Sequence, residues 1–154
     1  MRCLIYAVFV LLLGTSPSVG EEWALGSQTD GKSRSCSLSR VDRGRPFSIM
    51  LAFLPDTADQ AMVRLSFKEP KLVQGAQKAL ATLEFDNGTS EVHRVEAAPN
   101  GAILIPIVAL NVDNVLQTFS ESKNLTVATR FGSTSFSLGG IGNRIPALRD
   151  CAGR

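Results

Sequence analysis

The stretch ALATLEFDNGTSEVHRVEAAPNGAILIPIV, residues 79–108, contains three strand-like segments separated by two turn signals. The Asn-Gly pair at 87–88 is typical of a tight hairpin turn, and the Pro-Asn-Gly run at 99–101 is typical of a second turn. The pattern therefore predicts a three-stranded antiparallel meander. Pro106, inside the third segment, predicts an edge position or a bulge, because proline cannot donate a hydrogen bond to a neighbouring strand.

The segments on the N-terminal side also indicate strands. Residues 21–41 predict two short strands around a polar Asp-Gly turn. Residues 47–54 have little polar interruption, which predicts a central strand covered on both faces. Residues 62–68 alternate between apolar and polar side chains and predict a half-buried strand. Pro70 and Gly75 interrupt the following loop.

The pattern changes to a helical period near the C-terminus. Residues 111–122 carry apolar side chains at three- and four-residue spacing, with Asn111 or Asp113 as the N-cap. Two more strands follow, and the tail then predicts a short helix with Asn143 as its cap and Pro146 in its first turn. Together the patterns predict a mainly β fold, a β-sandwich or a rolled antiparallel sheet, with one or two short helices near the C-terminus.

Length and charge limit the possible classes of protein. The chain has 154 residues, of which 44% are hydrophobic, and its formal net charge is +2. These values indicate one globular domain rather than a disordered chain. The near-neutral balance predicts no nucleic-acid partner, because such partners require a concentrated basic face.

Residues 1–20 have the layout of a secretory signal peptide. Arg2 is the only charge, an apolar core runs from Leu4 to Leu13, and small residues end the segment at Gly20. The core is shorter than the roughly 20 residues that a membrane span needs, so we expect no stable span after cleavage. An uncleaved anchor and a buried first strand are the alternatives. The mature part, residues 21–154, is then a single β-rich extracytoplasmic domain, periplasmic or secreted.

Cleavage would remove Cys3 and leave two cysteines, Cys36 and Cys151. An even pair in an exported protein predicts one disulfide, which would tie the C-terminal tip to an early strand. Two free thiols in a reducing compartment are the alternative. A metal site is less favoured, since His93 is the only histidine and no ligand cluster accompanies it.

The search for chemistry assigns no catalytic, cofactor-binding or metal-binding residue. The nucleophile motif Gly-x-Ser-x-Gly is absent, and His93 lies within a predicted strand. The Gly-rich run at 139–142 could expose N–H groups to an anion at a helix start, but a turn without a ligand explains it better. Asn87 and Asn124 lie in glycosylation sequons, which matter only in a eukaryotic secretory pathway.

The order of the landmarks resembles the invasion-associated locus B family of exported bacterial proteins. An early Trp and Cys flank a polar hairpin, and the chain later runs through a helix and a strand into FSLGGIGNRIPAL, residues 136–148. The positions that match are Trp23, Cys36, Phe136, Leu138, Gly139, Ala147 and Leu148. The resemblance implies a periplasmic or secreted β-rich protein without a known reaction.

The chain also departs from that family. The family pattern has a further cysteine near Gly26 and a cysteine pair around residues 92–102, and this chain has neither. It carries Cys151 beyond the final helix instead. No catalytic or binding motif is available to transfer.

These observations predict a non-enzymatic exported protein that binds another protein or an envelope component. Its contact surface would include the sheet edge near Pro106 and the exposed turns. The alternative is a small envelope hydrolase or carbohydrate-active enzyme whose carboxylates meet in space. No cofactor is expected in either case.

Overall fold

The computed structural model describes residues 22–30, 33–54, 60–75 and 78–153, so the predicted signal peptide at 1–20 lies outside the described residues. The described strands are β1 (Ala24–Asp30), β2 (Ser33–Asp42), β3 (Arg45–Phe53), β4 (Ala61–Phe67), β5 (Lys78–Phe85), β6 (Ser90–Ala97), β7 (Ile103–Ala109), β8 (Asn124–Thr129) and β9 (Gly132–Ser137). They form one curled antiparallel sheet in the order β1-β2-β3-β4-β7-β6-β5-β8-β9. Two short helices accompany it, α1 (Val112–Glu121) and α2 (Ile145–Ala152). The predicted rolled antiparallel sheet with late short helices is confirmed.

Successive hairpins build the first half of the sheet. β2 and β3 are joined by a two-residue turn in which Arg43 and Gly44 have φ values of 51° and 78°. Positive φ at both positions matches the right-handed twist of the strands that the turn connects. In β3 the inner side chains are buried, but Ser48 and Met50 on the outer face are half-buried. The prediction that this strand is covered on both faces is therefore wrong, because no layer of described residues covers the outer face.

The predicted meander forms β5, β6 and β7. β5 and β6 pair along their length, whereas β6 pairs with β7 only through Glu96 and Ala97. β7 pairs fully with β4 on its other side, and Arg64 lies opposite Pro106. β7 lies inside the strand order, but Pro106 has no partner on the β6 side, so the predicted edge position holds locally at this residue. The proline is tolerated because β6 has already separated from β7 at that point, so a missing N–H on that side breaks no ladder bond.

The inner face of the curled sheet holds the core. Phe136 of β9 stacks on Phe47 of β3, with ring centroids 4.6 Å apart, and contacts Phe67 of β4 at 4.9 Å. Trp23 meets Phe47 edge-on at 6.1 Å. These contacts join strands from opposite ends of the sheet order, so the sheet curls far enough to pack its last strand against its first ones.

Polar side chains of the β2–β3 hairpin also contact β9. Buried Asp42 accepts a hydrogen bond from the Ser137 N–H at 3.1 Å. Arg45, its cross-strand partner, donates to the Thr134 hydroxyl and, at 3.0 Å, to the Ser135 carbonyl. β9 pairs with β8 on one side, and Asp42 and Arg45 contact it on the other side through side chains. We call Asp42 and Arg45 the β9 latch.

The two helices pack their apolar faces against the core. Asn111 caps α1, and its side chain accepts from the N–H groups of Asp113 and Asn114, so this N-cap prediction is confirmed. The N-cap position of α2 is Arg144, with no side-chain cap hydrogen bond. The predicted Asn143 cap is wrong, because Asn143 belongs to a preceding 3₁₀ turn, Ile141–Asn143.

The sulfurs of Cys36 and Cys151 are bonded. The S–S distance is 2.06 Å and the Cα atoms are 6.0 Å apart. Helix α2 brings Cys151 to β2, and Leu148 lies buried on the same side of the helix. The C-terminal tip is thus covalently joined to an early strand, with a sequence separation of 115 residues.

Candidate ligand-binding site

A cavity of about 610 Å³ opens at the start of β5, lined among the described residues by Lys78, Ala79, Leu80, Arg94 and Arg130. This volume falls within the range of small-molecule binding sites, about 300 to 1,000 Å³. We refer to it as the cationic cavity. Its described lining combines three positively charged side chains with apolar ones.

Three strands bring these residues together. Leu80 of β5 lies opposite Arg94 of β6. On the other side of β5, the ladder to β8 ends at the pair Ala81 and Thr129, so Arg130 follows directly beside Leu80. Lys78 precedes Leu80 by two residues and shares its face, because strand side chains alternate. Leu80 therefore lies between two arginines, with a lysine close by.

The positive charge of the cavity is only partly balanced. The ion pairs among the described residues are Arg45–Glu69, His93–Glu91 and Arg149–Asp113, and none involves a cavity side chain. Glu96 lies opposite Lys78 on the same face, so it reduces the local field there. The Arg130 guanidinium lies 4.5 Å from the Phe131 ring centroid, a contact that positions the cation without neutralising it. The arrangement favours an anionic ligand at the arginines.

Apolar side chains are exposed beside these cations. Leu80 is 64% exposed and Val92 is 63% exposed. Val92 lies opposite Thr82, one step diagonally from Leu80 on the same face. A strand of ordinary alternating pattern exposes polar residues on its solvent face. The cavity therefore has an apolar border as well as a cationic one.

A second depression of about 310 Å³ lies on the outer face nearer the N-terminus. Ser48 and Ser66 are opposite each other there, and the Arg64 guanidinium contacts the Met50 sulfur at 3.2 Å. Serine is the commonest residue in the lining. The described lining lacks the cluster of like charges and the exposed apolar side chains that accompany the cationic cavity. The lining of this depression therefore indicates the chemistry of a ligand less clearly than the lining of the cationic cavity does.

His93 lies on the opposite face of β6 from Arg94. Its Nε2 is 2.8 Å from the Glu91 carboxylate, two residues earlier on the same face. The described hydrogen bonds bring no hydroxyl group to this pair of side chains. No group of three or more potential metal-ligating side chains occurs in the described ranges.

In the glycine-rich run at 139–142, the backbone carbonyl of Gly139 accepts two hydrogen bonds. The Gly139 carbonyl accepts hydrogen bonds from the Trp23 indole at 3.0 Å and from Arg40 at 3.2 Å. The Gly139 N–H donates to the Ser137 hydroxyl at 3.4 Å. These contacts join the chain after β9 to the residues around β1 and β2, as in a structural turn.

The two sequon asparagines have local hydrogen bonds. Asn87 accepts from the Thr89 N–H at 2.9 Å within its turn. Asn124 donates to the Asp86 carboxylate at 3.3 Å. Both residues are exposed. Neither helix of the described part is long and apolar enough to cross a membrane.

Comparison of the chain with protein-family models, with curated proteins and with solved structures finds no match.

The sequence patterns did not identify the cationic cavity. Lys78, Arg94 and Arg130 are separated by 16 and 36 positions, and no motif connects them. The only local signal is the exposed face of β5, where Lys78 and Leu80 share one side of a strand. Recognising the cluster requires the pairing of β5 with both β6 and β8, which are far apart in the chain.

Proposed function

We propose that this protein is a non-enzymatic, β-rich binding module of the periplasm or the extracellular space, and that it binds a protein or another envelope component. We also propose that it is related to the invasion-associated locus B proteins, which its landmarks resemble. The observation that carries the proposal is the bond between Cys36 and Cys151. Disulfides persist in oxidising compartments and are rare in the cytosol.

Two further features support a binding role. The cationic cavity has ligand dimensions and an unbalanced charge. The acid–histidine pair, Glu91 and His93, has no hydroxyl partner in the described hydrogen bonds. A hydrolase would need an activated nucleophile or water between two suitably placed groups.

The test measures where the protein is located in the cell, where its N-terminus lies and whether its cysteines are bonded. A tagged full-length chain is expressed in a bacterial host, fractionated, and treated with a thiol-alkylating reagent before digestion and mass spectrometry. We expect the periplasmic fraction to contain a chain that begins at Glu21, with the peptides of Cys36 and Cys151 linked. A chain that stays in the cytosol with an intact N-terminus and two alkylated cysteines would contradict the proposal.

The hydrolase alternative has a test of its own. The purified protein and a His93→Ala variant are incubated with chromogenic esters and glycosides. We expect no turnover above buffer for either protein. Turnover by the wild type above buffer would establish the enzyme instead, and its loss in the variant would place His93 in the active site.

A further inference from the structure

We infer that the cationic cavity binds the phosphate of an anionic phospholipid, with Leu80 and Val92 against the apolar part of the lipid. The inference rests on the proposed extracytoplasmic binding role and names the envelope component. It depends on three features of the cavity, which are its cations, its size and its apolar border.

The cations determine the ligand's charge. Arg94 and Arg130 lie on either side of Leu80 and have no carboxylate partner among the described residues. Arg45, by contrast, is engaged with the oxygen atoms of Thr134 and Ser135. The planar guanidinium donates two parallel hydrogen bonds to phosphate. Glu96 lies opposite Lys78 and also shares the outer face of β6 with Arg94. We take the two guanidinium groups as the principal phosphate ligands because each presents paired N–H donors.

The size and the border select a lipid over a free phosphate ion. A cavity of about 610 Å³ is much larger than one phosphate needs, and it accommodates a glycerophosphate headgroup. Leu80 and Val92, both more than 60% exposed, contribute nothing to the binding of an inorganic ion. Beside a membrane surface the same side chains would leave water and contact the acyl region, which is favourable.

The acidic side chains on this face limit the strength of binding. Glu84 shares the outer face of β5 with Leu80, and Glu96 lies beside Lys78. A dense anionic surface would be repelled by these carboxylates if it covered the whole face. We therefore expect one headgroup at the arginines rather than a broad electrostatic contact.

The test is sedimentation of the purified, oxidised protein with vesicles. One set contains equal parts phosphatidylglycerol and phosphatidylcholine, and the other contains phosphatidylcholine alone. We expect binding to the first set only. Arg94→Gln and Arg130→Gln should each weaken it about fivefold, since one basic residue near an anionic surface contributes about that factor.

Matched variants distinguish a site from general attraction. Arg34 is exposed on β2, so Arg34→Gln removes the same charge away from the cavity and should leave binding nearly unchanged. Leu80→Ser should weaken binding severalfold, whereas Leu110→Ser, at a leucine that is 75% exposed, should not. Circular dichroism checks that each variant is folded. Equal losses for Arg34→Gln and Arg94→Gln would overturn the site.

Two competitors test the identity of the ligand. Millimolar inorganic phosphate that displaces the protein from vesicles, together with an inert Leu80→Ser, would make the cavity a free-phosphate site and overturn the lipid assignment. Tighter binding to polyglutamate than to vesicles would assign an acidic polypeptide instead. A protein that is exported and disulfide-bonded but ignores both vesicle types would overturn this inference and leave the proposed function standing.

Discussion

Gly142 is a residue at which one added methyl group should damage the packing of α1. A Cβ atom built there would lie 2.8 Å from the Ser120 hydroxyl and 3.0 Å from the Ser120 carbonyl oxygen. The hydroxyl can rotate away, but the backbone oxygen can move only with the end of α1. We expect Gly142→Ala to reduce the free energy of unfolding by about 1–3 kcal/mol. Thermal unfolding followed by circular dichroism measures the loss.

Gly139→Ala is the control for this substitution. Its Cβ would meet the Ser137 hydroxyl at 3.6 Å, an ordinary contact, and the Gly139 carbonyl would still accept from Trp23. An equal loss of stability in both variants would show that the close approach to Ser120 is not the cause.

Residue-scale features are predictable from sequence when their partners are local. The Asn111 cap was predictable because its hydrogen bonds reach only two and three residues along the chain. Asn143 does not cap α2, because it is part of the 3₁₀ turn that precedes the helix. The cavity arginines were not predictable, since their proximity depends on strands that pair across large separations.

At the scale of elements, β9 is an edge strand that pairs with β8 on one side and is held on the other side by side chains. Asp42 accepts from the Ser137 N–H and is 8% exposed. Removing the carboxylate would leave that N–H without its partner, and a hydrogen bond to a charged group contributes about 1.5–3 kcal/mol. We expect Asp42→Ala to lower the free energy of unfolding by about that amount, as measured by urea denaturation. Hydrogen exchange at the Ser137 amide should also accelerate.

Asp30→Ala is the matched control, because Asp30 is exposed at the end of β1. It removes the same negative charge without touching β9. Slowed or unchanged exchange at Ser137 in Asp42→Ala would contradict the role of the β9 latch.

The strand patterns predicted where the strands lie better than they predicted which faces of each strand are buried. The alternation of residues 62–68 matched β4, in which Val63 and Leu65 are buried and Arg64 is half-buried. The uninterrupted run at 47–54 predicts a strand covered on both faces, and that prediction is wrong. Ser48, Met50 and Ala52 alternate with its buried residues, and small or flexible side chains there tolerate partial exposure.

At the scale of the whole molecule, the hairpins were predictable and the closure was not. Turn signals such as Asn87-Gly88 act locally, and the predicted β5–β6 hairpin forms where that signal occurs. The Asp-Gly signal at 30–31 extends outside the described residues. The pairing of β4 with β7 and of β5 with β8 has no local signal, because the β5–β7 meander is inserted as a unit. The contact of Phe136 with Phe47 likewise joins residues far apart in the chain and has no local signal.

The disulfide spans this closed architecture and gives the last prediction. It joins residues separated by 115 positions, and in the chain-entropy model a loop of that length is worth about 4–5 kcal/mol. Cys151 is half-buried whereas Cys36 lies in the core, so Cys151→Ser removes the bond with the smaller change in packing. We expect the variant to unfold at a lower temperature than the oxidised wild type and at nearly the same temperature as the reduced wild type. A deficit of equal size in reducing buffer would mean that Cys151 stabilises the fold through packing rather than through its bond.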